Sequence, residues 1–298
     1  MNKLRTNEKK LVKFAVQGGP VHAGSPQGWR TQHDGSVHQL PGVGSITYNI
    51  QVGDSAFGWA GDHVEPGVST TGAGSNRRAD PNRSYNLFSC VGNRARLISG
   101  EAKGEFGTVI GTHGGCEHVM IDFPEHVLER MTLDDKILVR AFGQGLTLDD
   151  YPGILVQGLD PHVLHQMPLE EVGGRLRFPV VATVPAELLG SGLGRADGAK
   201  ADIDIQTSDP AFIKKHGLDK LRMGDFVALM DYKAYWGWSF QQGAVTIGVV
   251  IHSDSGSPGH GPGITTMITS LKGRLEPVIT PEANLGYYLK IGRYREDD

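Results

Sequence analysis

The sequence predicts a mainly β protein with a few short helices, in which barrel- or sandwich-like β domains are joined by long glycine-rich loops. Three observations carry that expectation. Gly supplies 42 and Pro 16 of the 298 residues, a glycine share roughly twice the usual ~7% and too aperiodic for collagen. A Gly/Asp turn runs into an apolar or alternating stretch at three separate places. Helical patterns are few and short.

The three turn-and-strand segments are Val52–Phe57, Leu133–Val139 and Met223–Leu229. In each, Gly or Asp supplies the turn chemistry and the residues after it read as a strand. Further strands are expected at Ser45–Gln51, Thr108–Ile110, Glu117–Phe123, Gly153–Gln157, Phe178–Val184 and Ala244–His252. Helices are expected at Pro124–Arg130, Pro185–Leu189 and Asp209–Gly217. The last has an acidic N-cap, a terminal Lys pair and a closing Gly. Long loops are expected at Gln17–Gly44, Gly61–Ser84, Gly190–Ala201 and Ser253–Gly263, and loops of that length are usually functional or interfacial. Two β domains are expected, 1–160 and 161–298, with a single intertwined unit as the alternative.

Composition narrows the function. A net charge of -4 lacks the basic face that sequence-independent nucleic-acid binding needs. The longest apolar stretch, Ala244–Ile251, is too short for a membrane helix. The N-terminus begins basic, but its apolar run is short and carries Lys13, a poor signal peptide. Two cysteines, Cys90 and Cys116, allow one disulfide but no framework of them. A cytoplasmic homo-oligomer acting on a small-molecule ligand, without nucleic acid or membrane, is the expectation.

Three polar constellations draw attention. The first is the run Thr112–Asp122, in which strand alternation puts Cys116, His118, Met120 and Asp122 on one face and Glu117 on the other. His118 and Asp122 would pair as imidazole and carboxylate, and His113 would fold back over the Gly114–Gly115 turn. Cys, His and carboxylate together suit a divalent metal such as Zn. The alternative is a core histidine bonded to backbone. The second is His252–Gly263, where His252 and Asp254 stand two apart and His260 returns across a Gly/Pro turn. Two imidazoles and a carboxylate there serve a metal or proton transfer, against a merely structural loop. The third is Gly61–Gly67, which crowds Asp62, His63 and Glu65 into four positions, with Arg77 and Arg78 downstream as anion-binding candidates. A solvated turn is the plain alternative.

The catalytic candidates are therefore His118, Asp122, Glu117, His252 and Asp254; the ligand-binding candidates His63, Glu65, Arg77, Arg78 and His260; and the metal candidates His113, Cys116, His118, His252 and His260. Gly190–Gly194 matches neither G-x-G-x-x-G nor G-x-S-x-G, which argues against a dinucleotide site or a hydrolase elbow.

The strings GDHVEPGVS at 61–69, HGGCEHVMIDFP at 113–124, GQGLTLDDYP at 143–152, PAELLGSGLG at 185–194 and GAVTIGVVIHSDSGSPGHGPG at 243–263 resemble an uncharacterised prokaryotic family, domain of unknown function 4438. The resemblance implies a mainly β fold with a barrel-like portion. It brings no activity, cofactor or catalytic residue. The function expected from the residues is a metal-assisted or acid–base hydrolase or lyase on a small polar substrate. The alternative is a non-catalytic small-molecule-binding or scaffold protein.

Overall fold

The structure is a computed structural model, and it describes residues 4–24, 29–72, 76, 78–196 and 201–296. The N-terminal half contains β1 (Phe14–Pro20), β2 (Arg30–Thr31), β3 (Val37–His38), β4 (Ile46–Thr47), β5 (Gly67–Thr71) and α1 (Asp80–Phe88). It continues through β6 (Arg94–Leu97), β7 (Phe106–His113), β8 (His118–Asp122), α2 (Glu125–Leu128) and β9 (Ile137–Ala141). The C-terminal half runs β10 (Ile154–Val156), α3 (Pro161–Gln166), β11 (Glu170–Val172), β12 (Arg175–Val180), β13 (Ala182–Val184), β14 (Asp202–Asp204) and α4 (Pro210–Lys215). It ends with β15 (Phe226–Lys233), β16 (Ser239–Val250), β17 (Gly263–Ser270), β18 (Leu275–Ile279) and α5 (Leu285–Leu289).

The protein is mainly β. The first sheet is ordered β1-β9-β6-β7-β8-β5-β4, and a β1–β5 pairing at Gly19↔Thr71 and Pro20↔Thr70 closes its first six strands into a barrel. Closure removes the exposed edge that an open sheet would present. Val109, Val119, Ile121, Leu97, Ile137 and Val139 fill one core. The second sheet is ordered β10-β17-β16-β15-β13, with β14 also pairing β17. Its β15 is buried on both faces: Phe226 and Ala228 enter one core, Val227 and Leu229 the other. The first of those cores also holds Ile110 and Met120 of the barrel, so the halves share apolar packing. Each such aliphatic side chain contributes about 1.5–3 kcal/mol on full burial. Thr265 on β17 adds a polar link, accepting from the Thr112 N–H and donating to the Thr112 carbonyl, both at 2.9 Å.

Two of the three turn-and-strand segments behave as expected, giving β9 and β15. The segment at Val52–Phe57 does not form a strand. Its N–H groups bond one at a time to the 221–223 loop, Gly53 to Met223 and Ala56 to Leu221, each at 2.8 Å. Strand Ser45–Gln51 shrinks to β4, and Phe178–Val184 splits into β12 and β13. Helix Asp209–Gly217 forms as α4, with the Asp209 side chain accepting from the Phe212 N–H. Two of the long loops hold regular structure: β5 lies within 61–84 and α1 begins there, while β1 reaches into 17–44 and β2 and β3 lie within it. Among the described residues no helix is long and apolar enough to cross a membrane.

Candidate metal centre

The site is built on β14. Ala201, Ile203 and Ile205 are buried in the apolar core behind that strand. Alternation therefore turns Asp202 and Asp204 together to the opposite face, where both are still buried. The strand is held by antiparallel pairing to β17, with Asp204 opposite Gly263. A Cβ on Gly263 would lie 2.1 Å from His252 Nε2 and 2.5 Å from the Asp202 carboxylate. Glycine at that position is what lets the imidazole and carboxylate meet over the strand.

Four histidines surround the two aspartates, and each is held by its Nδ1 atom. His63 Nδ1 lies 2.5 Å from Asp62 Oδ1, and His113 Nδ1 lies 2.5 Å from Glu65 Oε1. His252 Nδ1–H donates to the Ser253 carbonyl at 2.9 Å, and His260 Nδ1–H to the Pro258 carbonyl at 3.0 Å. Carboxylates and carbonyls only accept, so these partners place the hydrogen on Nδ1 in all four rings. The Nε2 atoms face inward. His252 Nε2 is 3.0 Å from Asp202 Oδ2 and 3.5 Å from Asp204 Oδ1. His113 Nε2 is 3.9 Å from Asp202 Oδ2. His63 and His260 Nε2 are 3.8 and 3.9 Å from Asp204 Oδ2. Orienting partners on Nδ1 and converging Nε2 atoms are the arrangement that metal-binding histidines use.

The loops that carry these rings are laced to one another. The His63 N–H bonds the Asp254 carbonyl, and the Ser253 N–H bonds the Val64 carbonyl. The Val64 N–H in turn bonds Ser253 Oγ at 2.8 Å. His63 adopts a left-handed φ of 57°, a strained backbone for a non-glycine residue and one common at functional sites.

Three groups have the composition and spacing to hold a metal ion: His63–Asp204–His260, His113–Asp202–His252 and Glu65–His113–His118. Chemistry separates them. Glu65 is fully buried and already accepts from the Gly44 N–H, Ser69 Oγ, His113 and His118. A carboxylate offers about four lone-pair sites, so Glu65 is saturated and serves to orient His113. The other two groups keep their inward nitrogens and carboxylate oxygens facing a common space.

The electrostatics follow from burial and these pairings. Burial would raise the Glu65 carboxyl, but His118 and His113 hold it well below the usual range. Burial likewise works against Asp62, and its bonds with His63 and Ser255 prevail, holding it at about 2. Burial is overcome at Asp204 too, where His252 and His63 pull the carboxyl down. The imidazoles move the other way. Burial would lower His252, but hydrogen bonds to Asp202 and Asp204 raise it well above its ordinary value. His63 is also raised, against burial, by Asp204 and Asp62. A proton on His252 Nε2 and a metal at that atom are mutually exclusive.

A cavity of about 270 Å³ opens over the cluster, lined by His63, His113, Asp202, Asp204 and His260 and also by Glu117, Ser191, Arg30 and Arg195. Arg30 and Arg195 are exposed, and the Arg195 guanidinium lies against Gly115.

The three constellations expected from sequence meet here in part. His63, His113, His252 and His260 converge, and Glu65 and His118 lie on the outer side of His113. His118 and Asp122 do not pair. They share a face of β8 but stand four residues apart, about 13 Å along a strand. Asp122 instead accepts from Arg295 and from the Gly292 N–H at 3.3 Å. Cys116 is also apart, its Sγ 3.9 Å from the Asn82 carbonyl, and neither cysteine is in a disulfide. Asp254 accepts from Thr207 and the Ser255 N–H rather than facing the metal groups. Arg78 is exposed in the turn before α1, and Arg77 lies outside the described residues. Asp202 and Asp204 escaped the sequence reading. The alternation Ala201-Asp202-Ile203-Asp204-Ile205 was the signal for them: a buried-face strand whose other face is acidic.

Comparison with known proteins adds family membership and no chemistry. Residues 29–165 match the family described as domain of unknown function (DUF4438), N-terminal, and residues 166–289 match its C-terminal counterpart. The two matches meet between β10 and β11, inside α3. His63, Glu65 and His113 lie in the first stretch and Asp202, Asp204, His252 and His260 in the second. A solved structure, the crystal structure of TM1086, is 41% identical, covers 96% of this chain and 99% of its own, and superposes with a TM-score of 0.90. No curated protein matches.

Proposed function

The chain belongs to the DUF4438 family, and from its site we propose that it is a metal-dependent hydrolase acting on a small polar substrate that carries an anionic group. One observation carries the reading: four histidines, each fixed through Nδ1, aim Nε2 at one pair of buried aspartates. Two histidines and one carboxylate make a three-ligand set, which leaves a catalytic metal a position for water. Held by such a set, a divalent cation would supply water acidified towards neutrality.

The chain's own residues supply the rest. Asp62 and Glu65 fix the rings of His63 and His113, so the ligands are aligned before substrate arrives. The cavity of about 270 Å³ admits only a small molecule. Arg30 and Arg195, exposed residues in its lining, suit an anionic group on the substrate. Glu117, a pocket-lining carboxylate outside the metal groups, is assigned to proton transfer.

The test uses tag-free protein supplemented with Zn²⁺, Mn²⁺ or Co²⁺ and assayed on small esters, amides and phosphoesters. Metal retained in proportion to chain, with hydrolysis abolished in Asp204→Asn, is the expected result. Less than a tenth of a metal per chain would overturn the metal reading. Stoichiometric metal without turnover of any of these substrates would overturn the hydrolase reading and favour a binding protein.

A further inference from the structure

We infer that the centre takes two divalent cations, one held by His113, His252 and Asp202 and the other by His63, His260 and Asp204. The inference rests on the metal reading above and deepens it. It stands on three independent features of the site.

The first is donor number. Four inward nitrogens and two carboxylates are more than one tetrahedral cation can use. The six residues divide without overlap into two groups, each with its ligand atoms within 4.8 Å of one another. Each group has the two-nitrogen, one-carboxylate composition that leaves an open coordination position.

The second is charge. Asp62, Glu65, Asp202 and Asp204 are all buried, and every ion-pair partner of these four among the described residues is a histidine. Arg30 adds only a longer-range attraction to Asp62. His38 and His118 pair with Asp62 and Glu65 from outside the two groups. With the four ligating imidazoles neutral, as metal ligation requires, Asp202 and Asp204 are each left with a buried charge that no side-chain cation answers, at large cost. A cation in each group sets one positive centre beside each of these two carboxylates.

The third is geometry. Asp202 and Asp204 are same-face neighbours on one strand, and both carboxylates reach a single atom, His252 Nε2, at 3.0 and 3.5 Å. The two groups therefore adjoin. The His113–His252 rings lie 4.3 Å apart, the His63–His260 rings 5.1 Å, and His63 lies 5.0 Å from His252 across the boundary. Two-metal hydrolytic sites need that proximity, since their cations sit about 3.5–4 Å apart and clamp both the attacking and leaving oxygens.

Titrating the full-length, tag-free protein with Mn²⁺, followed by equilibrium dialysis and electron paramagnetic resonance, tests the inference. The expected result is saturation at two per chain, with the spectrum of a spin-coupled pair at full loading. His260 is half-buried on a loop, so His260→Ala should leave the fold intact. That variant should lose the coupled signal and weaken one of the two binding steps by at least about 100-fold. Saturation of the wild-type protein at one per chain, or two ions without coupling, would overturn the two-cation inference and leave the metal reading standing. No saturable binding would overturn both.

Discussion

Two buried acidic regions of this molecule solve the same problem in opposite ways. Asp122, at the end of β8, is fully buried and meets the Arg295 guanidinium and the Gly292 N–H. Its counter-charge is part of the chain and permanently cationic. Asp225 is treated similarly, bonded to Arg222 and Asn284. The β14 pair, Asp202 and Asp204, is equally buried but is ringed by imidazoles. Imidazoles can be neutral donors of a lone pair, which guanidinium groups cannot. The first arrangement closes a charge inside the fold, and the second leaves it to be closed from outside. A carboxylate's function is therefore read from whether its partner can give up its proton.

That contrast can be broken most directly at its centre. Asp204→Asn removes the carboxylate that His63 and His260 approach at Oδ2 and His252 at Oδ1. It should lower metal affinity by more than the roughly 100-fold that loss of an orienting partner costs, read by metal content after dialysis. Unchanged metal content would remove β14 from the centre. Asp62→Asn is the next step down. It keeps the His63 ring but weakens its anchor, and metal affinity should fall about 10–100-fold while the melting temperature moves little.

Asp122→Asn tests the other region and should leave metal content unchanged. Burial outweighs the pull of Arg295 and pushes the Asp122 carboxyl up to about 6. A folded-state value above the unfolded one means the folded chain holds this proton more tightly. The stabilisation is then complete below about pH 4 and is lost as pH rises through 6, on the order of 2–3 kcal/mol. Denaturant midpoints measured from pH 4 to 7.5 should show that decline in the wild-type protein and a flatter profile in Asp122→Asn. An unchanged slope would assign the decline to another group. The smallest effect is expected at Cys116→Ser, whose sulfur lies outside the metal groups: full metal content and a stability change of about 1 kcal/mol.

How far these regions were legible depended on how local their signals are. The strands β9, β15 and β16 follow a turn or a long apolar run and could be read directly. Gly67–Thr71 and Gly263–Ser270 could not, because strands buried along their whole length lose the alternation that marks a half-exposed strand. Asp80–Phe88 was hidden because its cap comes without a side-chain bond and its composition is polar. In the site, clustered histidines beside glycines were visible as three constellations. The His118–Asp122 pairing failed because sharing a face does not give proximity, and the aspartates of β14 were overlooked because the strand is only three residues long.

The sequence by itself determined the β class, the turn chemistry and the glycine-rich segments that bring histidines to loop ends, since each depends on φ preference and on residues a few positions apart. Tertiary structure alone decided which ring nitrogen faces inward and which carboxylates orient and which remain open. Those choices depend on partners up to 189 residues away in the chain, as in the Val64–Ser253 bond that locks two site loops together. Long-range pairing of that kind leaves no local periodicity to read, and it is what turns scattered acids and imidazoles into one centre.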